Sequence, residues 1–295
     1  MKIALIANPF SGGFNTTRTL AEVKQKLYHH DIRFDLFLSS HHQHPVEIAK
    51  SLPLFEYDAI VSMGGDGTNY QVLNGLLKNQ DNKILPPLGI IPAGRGNSFA
   101  RDLEIFSIND GISAIAGQTS RPVDVCSFTQ GMETHYFVNL MGFGFVTDVA
   151  RTAAYCNRLG DASYIIGVLH RMLGLRFHEM ELEIDGVSFS GENCFVEFCN
   201  SRYTGGDMIM APHARIDDGF FDVVILGPLS RISLLKTLPG LFKGTHGKNK
   251  SVQFVRGKNA IVRTIPEKTL LPDGEIFGIT PTEINILPSR VRFLF

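Results

Sequence analysis

Three apolar runs in this chain each stop at a loop rich in glycine and small polar residues, and that repeated junction restricts the fold more than any other feature. Residues 2–7 lead into Asn8-Pro9-Phe10-Ser11-Gly12-Gly13, residues 59–63 into Gly64-Gly65-Asp66-Gly67-Thr68, and residues 88–91 into Pro92-Ala93-Gly94-Arg95-Gly96-Asn97. Helical spacing follows: Leu20, Val23 and Leu27 share a face of 17–29, and Val72, Leu73, Leu76 and Leu77 mark 68–77. A strand at 33–38 and a short helix at 46–52 continue the alternation, and another helix opens near Asn97. This alternation predicts a parallel sheet covered by helices. Ligands of such sheets lie beyond the carboxyl ends of the strands. There glycine admits a phosphate close to the backbone, and the next helix presents unpaired N–H groups.

The texture changes after about Asp124. Runs at 136–140, 179–184, 194–198, 220–226, 252–255 and 260–264 are short, β-rich and separated by turn residues, with final strands at 282–287 and 291–295. They predict a mainly antiparallel domain. Two helical stretches interrupt it, 147–175 (broken near Gly160) and 230–242. A length of 295 residues accommodates two domains of roughly 150 each, here 1–125 and 126–279.

Composition mainly excludes. With 28 basic against 29 acidic residues, nothing in the overall charge favours nucleic acid or an anionic membrane. Cys126, Cys156, Cys194 and Cys199 form no CxxC pair and no zinc spacing, and read as small apolar residues of a reducing compartment. His41, His42 and His44 fall in a loop between strand and helix and read as polar surface. The run at 2–7 is too short for a signal peptide, and no run approaches the roughly 20 apolar residues of a spanning helix. A cytoplasmic protein that touches a membrane only from outside is expected.

The loop at 64–68 is the sharpest of the three. Its glycines suit a phosphate cradle and Thr68 a helix cap. Asp66 would repel phosphate unless it held Mg²⁺, directly or through water; as bare sequence it reads equally as a helix N-cap.

The motif Gly64-Gly65-Asp66-Gly67-Thr68 with Val72 and Asn74-Gly75, followed by Pro92-Ala93-Gly94-Arg95-Gly96-Asn97-Ser98-Phe99-Ala100-Arg101, resembles the diacylglycerol kinase catalytic core. Sphingosine and ceramide kinases share that core. The resemblance continues through Asn8–Gly12, Asn139-Leu140-Met141-Gly142-Phe143-Gly144, Gly205-Gly206-Asp207-Met208, Ala211-Pro212, Asp217-Asp218-Gly219 and Asp273-Gly274-Glu275. It implies a Rossmann-like nucleotide-binding domain and a C-terminal antiparallel β-sandwich, with the active site in the cleft between them and the final strand, 280–295, returning to the first domain. It implies ATP and Mg²⁺ as cofactors and a membrane lipid such as diacylglycerol as acceptor. It places Asn8, Pro9, Ser11, Gly12, Ser40, Gly64, Gly65, Asp66, Gly67, Thr68, Asn69, Gly94, Arg95 and Asn97 around ATP. Asp66, Asp273 and Glu275 become catalytic, with Glu275 favoured over Asp273 as the base. Asp218 and the carbonyls of Arg215 and Phe220 become ligands of a structural Mg²⁺. Two residues depart from the pattern: Gln71 replaces a common glutamate, and Arg95 a common threonine or serine.

Without the resemblance, Asp273-Gly274-Glu275 and Asp217-Asp218-Gly219 are ordinary turns. The stretches 164–175 and 229–243 carry leucines beside His170, Arg171, Arg231, Lys236 and Lys243, a pattern that serves either a core-facing helix or a basic amphipathic helix at a membrane. An exposed edge strand in the second domain would serve a homodimer. Two rival functions stand beside the lipid kinase. One is a nucleotide- or lipid-binding regulator on the same scaffold; the other is an NAD kinase-like enzyme for a soluble metabolite.

Overall fold

Strand and helix alternate from the start: β1 (Lys2–Ala7), α1 (Thr16–His29), β2 (Arg33–Leu38), α2 (His44–Ser51), β3 (Ala59–Gly64), α3 (Asp66–Leu77), β4 (Leu88–Pro92), α4 (Ser98–Asp102) and α5 (Ile108–Gly117). The computed structural model describes residues 1–11, 16–80, 84–155 and 162–295. The strands are parallel in the order β2-β1-β3-β4, with Ile3 opposite both Phe34 and Ala59. Both faces carry helices, so β3 and β4 are buried along their whole length, as expected of a parallel sheet. Ile3, Leu5, Val61 and Ile91 pack with Val23 and Leu27 of α1. From β1 the chain goes to β2 on one side and then crosses to β3 on the other. The loops that follow β1 and β3 therefore flank a topological switch point.

The rest of the chain is mainly β: β5 (Ser120–Gln130), β6 (Glu133–Phe137), β7 (Leu140–Gly144), α6 (Phe145–Tyr155), α7 (Ala162–Leu173), β8 (His178–Ile184), β9 (Val187–Asn193), β10 (Phe195–Cys199), β11 (Tyr203–Thr204), β12 (Met208–Ile209), β13 (Phe221–Leu226), α8 (Arg231–Leu241), β14 (Val252–Gly257), β15 (Asn259–Ile265), β16 (Leu270–Pro272) and β17 (Thr282–Leu294). Two compact units result, Met1–Val123 with Ser289–Phe295, and Asp124–Pro288. The chain passes between them within β5 and again within β17, so the tail assigned to 280–295 divides at Ser289. Phe293 joins the parallel sheet opposite Leu88.

In the second unit the antiparallel strands run β14-β13-β10-β7-β16, and β15 lies between β8 and β17. Residues alternate buried and exposed along β8, the mark of a sheet with one covered face. Phe145, Val146 and Val149 of α6 and Leu234 of α8 pack on Phe195, Val224 and Leu226. A mixed α/β chain, parallel first and antiparallel second, is what the sequence predicts.

The details differ in three places. The run expected at 136–140 is two strands, β6 and β7, because the amides of Val138, Asn139 and Leu140 donate to a distant carboxylate, that of Asp273, at the junction. The runs at 282–287 and 291–295 form one strand, β17. The strands β5, β9, β11, β12 and β16 lie outside the predicted runs. The helix break near Gly160, and Cys156, lie outside the described residues. Cys126, Cys194 and Cys199 are buried and free. Among the described residues no helix is long and apolar enough to cross a membrane.

Candidate active site

At the switch point the first two glycine loops are tied together by side chains. The Nδ2 of Asn8 donates to Thr68 Oγ1 (3.1 Å), and Ser11 Oγ accepts from the Gly65 amide (3.1 Å). Ser11 Oγ also lies 3.4 Å from Thr68 Oγ1. Within the first loop the Phe10 amide, just after Pro9, donates to Asn8 Oδ1 (2.9 Å). Thr68 thus sits inside the first turn of α3 and reaches sideways to the first loop, not to its own helix end; the N-cap of α3 is Gly65.

The second and third loops meet backbone to backbone. The amides of Ala93 and Gly94 both donate to Gly64 O (2.8 and 3.0 Å). A Cβ on Gly94 would lie 2.3 Å from the Gly65 Cα, so glycine is required for the approach. Asn97, in the left-handed region at φ 49°, accepts from the Gly94 amide and donates to its carbonyl.

This approach gives Asp66 its role. Asp66 is the first residue of α3, yet its carboxylate oxygens accept from the amides of Ser98 (3.0 Å) and Phe99 (3.1 Å) at the start of α4. It caps the other helix, not its own. Burial pushes its carboxyl pKa upward, opposed by those two amides. Each oxygen accepts one backbone N–H group, so Asp66 brackets the second and third loops. Ser98 and Phe99 contribute main-chain amides, which no side-chain motif announces.

The remaining expected nucleotide residues are placed unevenly. Asn69 is buried and accepts from Ser62 Oγ beneath the loop. Gly67 lies in the first turn of α3. Arg95 is exposed. Ser40 engages His44 Nδ1 through its amide and hydroxyl, next to Ser39, whose amide donates to Ala7 O at the end of β1 (3.0 Å). Gly12 lies outside the described residues. Gln71 is buried, with Nε2 3.4 Å from His42 Nε2 and Oε1 unpartnered among the described residues. His42 is exposed, as the sequence reading expects, and its ring reaches Gln71 on α3.

In the second unit the two carboxylates of the Asp273–Glu275 turn separate by function. Asp273 is 3% exposed, and its oxygens accept from Val138 (3.1 Å), Asn139 (2.9 Å) and Leu140 (3.1 Å). Its φ of 46° and the φ of 85° at Gly274 turn the chain sharply, leaving Glu275 half-buried. Asp273 fixes the β6–β7 junction, while Glu275 is the more open carboxylate of the turn.

Arg215, Asp218 and Phe220 do share one turn, but its charges are already balanced. Asp218 pairs with Arg256 and accepts from the Phe220 amide, and Asp217 pairs with Arg215 (3.5 Å). Arg256 and Lys258 both lie over the Phe220 ring, at 4.2 and 4.6 Å. A divalent ion would have to displace Arg256 from Asp218, so these residues do not fit the expected Mg²⁺ site. Among the described residues no cluster of three acidic, histidine or cysteine side chains is arranged to hold a metal.

An apolar cavity lies within the second unit, beneath α6, α7 and α8. Phe145, Val168, Phe195, Val224, Leu238 and Leu241 are among its walls.

Comparison with known proteins agrees with this architecture. Residues 2–128 match the diacylglycerol kinase catalytic domain, and residues 140–295 the YegS C-terminal NAD kinase beta sandwich-like domain. The chain is 29% identical to the diacylglycerol kinase of Bacillus subtilis over 98% of its own length and 94% of that protein. It is 26% identical to sphingosine kinase 1 of Arabidopsis thaliana over 87% of its length and 63% of the relative's. A crystal structure of a diacylglycerol kinase from Bacillus anthracis superposes with a TM-score of 0.75 at 22% identity, covering 100% of this chain and 96% of that one. A second from the same organism reaches 0.80 at 25%, covering 100% and 97%. Glycine loops joined at a switch point, an antiparallel second unit, and two family matches spanning nearly the whole chain lead to one conclusion: this protein belongs to the diacylglycerol kinase family and is a kinase that phosphorylates an alcohol group.

Proposed function

We propose that the chain transfers the γ-phosphoryl group of ATP, bound together with Mg²⁺, to the hydroxyl of a membrane lipid of the diacylglycerol type. The observation that supports the lipid reading is the apolar lining beneath α6, α7 and α8, which encloses about 50 Å³ and includes Phe145, Phe195, Leu238 and Leu241 beside Thr237 and His246. Once widened, such a wall suits an acyl chain better than a soluble metabolite, which needs more hydrogen-bonding partners than two side chains supply. The names of the relatives, diacylglycerol kinase and sphingosine kinase, support the same class.

In this reading the phosphates of ATP lie against the amides at the start of α3, within the frame made by Asn8, Ser11, Gly65 and Thr68. Arg95 offers a guanidinium to a phosphate oxygen. Mg²⁺ arrives with the nucleotide as part of the substrate. Glu275 accepts the proton of the acceptor hydroxyl as its oxygen bonds to the γ-phosphorus and the bond to ADP breaks. The proton passes from Glu275 to solvent, leaving ADP and a phosphorylated lipid. The exposed Leu169 and Leu173 of α7 and Ile232, Leu235 and Phe242 at α8, beside Arg231 and Lys236, make these helices the part of the chain that meets the bilayer.

The test is transfer of label from γ-labelled ATP to a panel of hydroxylated lipids in mixed micelles. Wild type should give one organic-soluble product. Glu275→Gln should lower kcat by roughly 10²–10⁴-fold with ATP affinity unchanged. Nucleotide binding with no product across the panel would instead support the regulator, and label in a water-soluble product the metabolite kinase.

A further inference from the structure

Charge is spread unevenly along this chain. Lysine and arginine total 28 against 29 aspartates and glutamates, yet residues 223–266 hold eight basic side chains and no acidic one. Three of the eight, Lys236, Lys243 and Lys248, line a groove of about 420 Å³ between the second half of α8 and the turn that follows it, with Thr237, Thr245 and Asn249. All three lysines are exposed, and none forms an ion pair among the described residues. The carbonyl end of a helix carries about half a negative charge, which leaves most of the lysine charge unbalanced. The walls are held from within. Asn249 Nδ2 donates to Thr237 Oγ1 (2.6 Å) and to Ser233 Oγ (3.1 Å), and the Thr245 amide donates to Gly240 O (2.8 Å). A Cβ at Gly240 would lie 3.0 Å from the His246 Cα, so the turn rests directly on the helix. The transfer mechanism above uses none of the three lysines.

We propose that this groove is a binding site for a phosphate group, held by Lys236, Lys243 and Lys248. Each ammonium offers three N–H donors and no acceptor, and the Thr245 hydroxyl lines the same groove. A phosphate has several acceptor oxygens and can answer more than one of these point charges at once, whereas a single carboxylate answers fewer. The volume holds a phosphate together with a small esterified group. Two sources present that chemistry, the headgroup of an anionic phospholipid and a soluble phosphate ester. Ile232, one helical turn before Lys236, is 68% exposed, which suits the headgroup. The groove shares no residue with the loops assigned to ATP, so the site stands whether or not the acceptor of the kinase is a lipid.

The experiment uses the whole chain without ATP. The probes are inorganic phosphate, glycerol phosphate, and vesicles of phosphatidylcholine with or without phosphatidylglycerol. Lysine acetylation by acetic anhydride, read by mass spectrometry, should slow several-fold at Lys236, Lys243 and Lys248 when a probe binds, and stay unchanged at Lys50. Changing the three groove lysines together to glutamine should weaken binding of the effective probe by roughly a hundredfold without lowering the melting temperature. A control that loses the same charge at the exposed Arg33, Lys50 and Arg263, also to glutamine, should keep most of the affinity. Protection by phosphatidylglycerol vesicles alone supports the site and names the headgroup as its ligand. Protection by inorganic phosphate or glycerol phosphate supports it and names the soluble ester. Lysines equally reactive with and without every probe, or equal losses of affinity in the two triple variants, overturn the assignment.

Discussion

Asp66 and Asp273 do the same task in two differently built regions. Each is a carboxylate that accepts backbone amides from another element: Ser98 and Phe99 for Asp66, and Val138, Asn139 and Leu140 for Asp273. In the first unit the partners lie 32 and 33 residues away, on the next loop of a parallel sheet. In the second they lie 133 to 135 residues away, on a strand junction that the carboxylate itself creates. A parallel α/β sheet gathers its loops at one edge by topology, so a bracket there only trims their positions. An antiparallel domain has no such edge. Its site must be pinned by contacts between distant segments, and the pin carries more of the fold.

The comparison breaks most easily at Asp273. Asp273→Ala leaves three buried amides without an acceptor, and should cost about 3–5 kcal/mol in urea unfolding. Asp273→Asn, which keeps one acceptor oxygen, should cost about half of that. Unchanged stability with abolished turnover would make Asp273 a catalyst instead of a clamp.

The buried acid of the second unit should write itself into the pH dependence. The folded-state pKa of Glu197 is raised by burial from 4.5 to about 8, so the native state holds a proton that the unfolded chain releases. This contribution is complete below pH 4.5 and is lost as pH rises through 8, amounting to a few kcal/mol. The neighbouring Cys199 thiol, pushed up by burial and by Glu197, stays neutral over that window. Chemical unfolding from pH 5 to 9 should therefore show a decline that Glu197→Gln flattens.

Two smaller effects test the first unit. Gly94→Ala drives a methyl group into the Gly65 backbone and should cost about 1–3 kcal/mol, with weakened ATP binding by calorimetry. Asp66→Asn should cost about 1–2 kcal/mol and weaken ATP binding several-fold through loop displacement. Intact loop stability and ATP affinity with turnover lost would return Asp66 to the reacting centre.

How much of this was legible varies with sequence distance. The strand at Arg33–Leu38 and the helix ending at His29 stand where the sequence puts them, because hydrophobic period is a local signal. So are the glycine loops, since the geometry they permit belongs to the residues themselves. The division of labour between Asp273 and Glu275 was only half visible: the turn was plain, but which carboxylate faces inward depends on amides more than 130 residues away. The ion pair at the Asp218 turn was hidden for the same reason, because Arg256 lies on a strand 38 residues further on. Glu197 gave no signal beyond one acid in the apolar run Phe195–Cys199.

The sequence alone thus determined the layered α/β half, the β-rich half, the glycine loops and the family resemblance, since all of these rest on residues close together in the chain. Tertiary structure decided which aspartates accept distant backbone amides and which acid is buried in the middle of a strand. Burial and hydrogen-bond satisfaction are properties of what surrounds a side chain, and those surroundings come from segments that sequence proximity does not reveal.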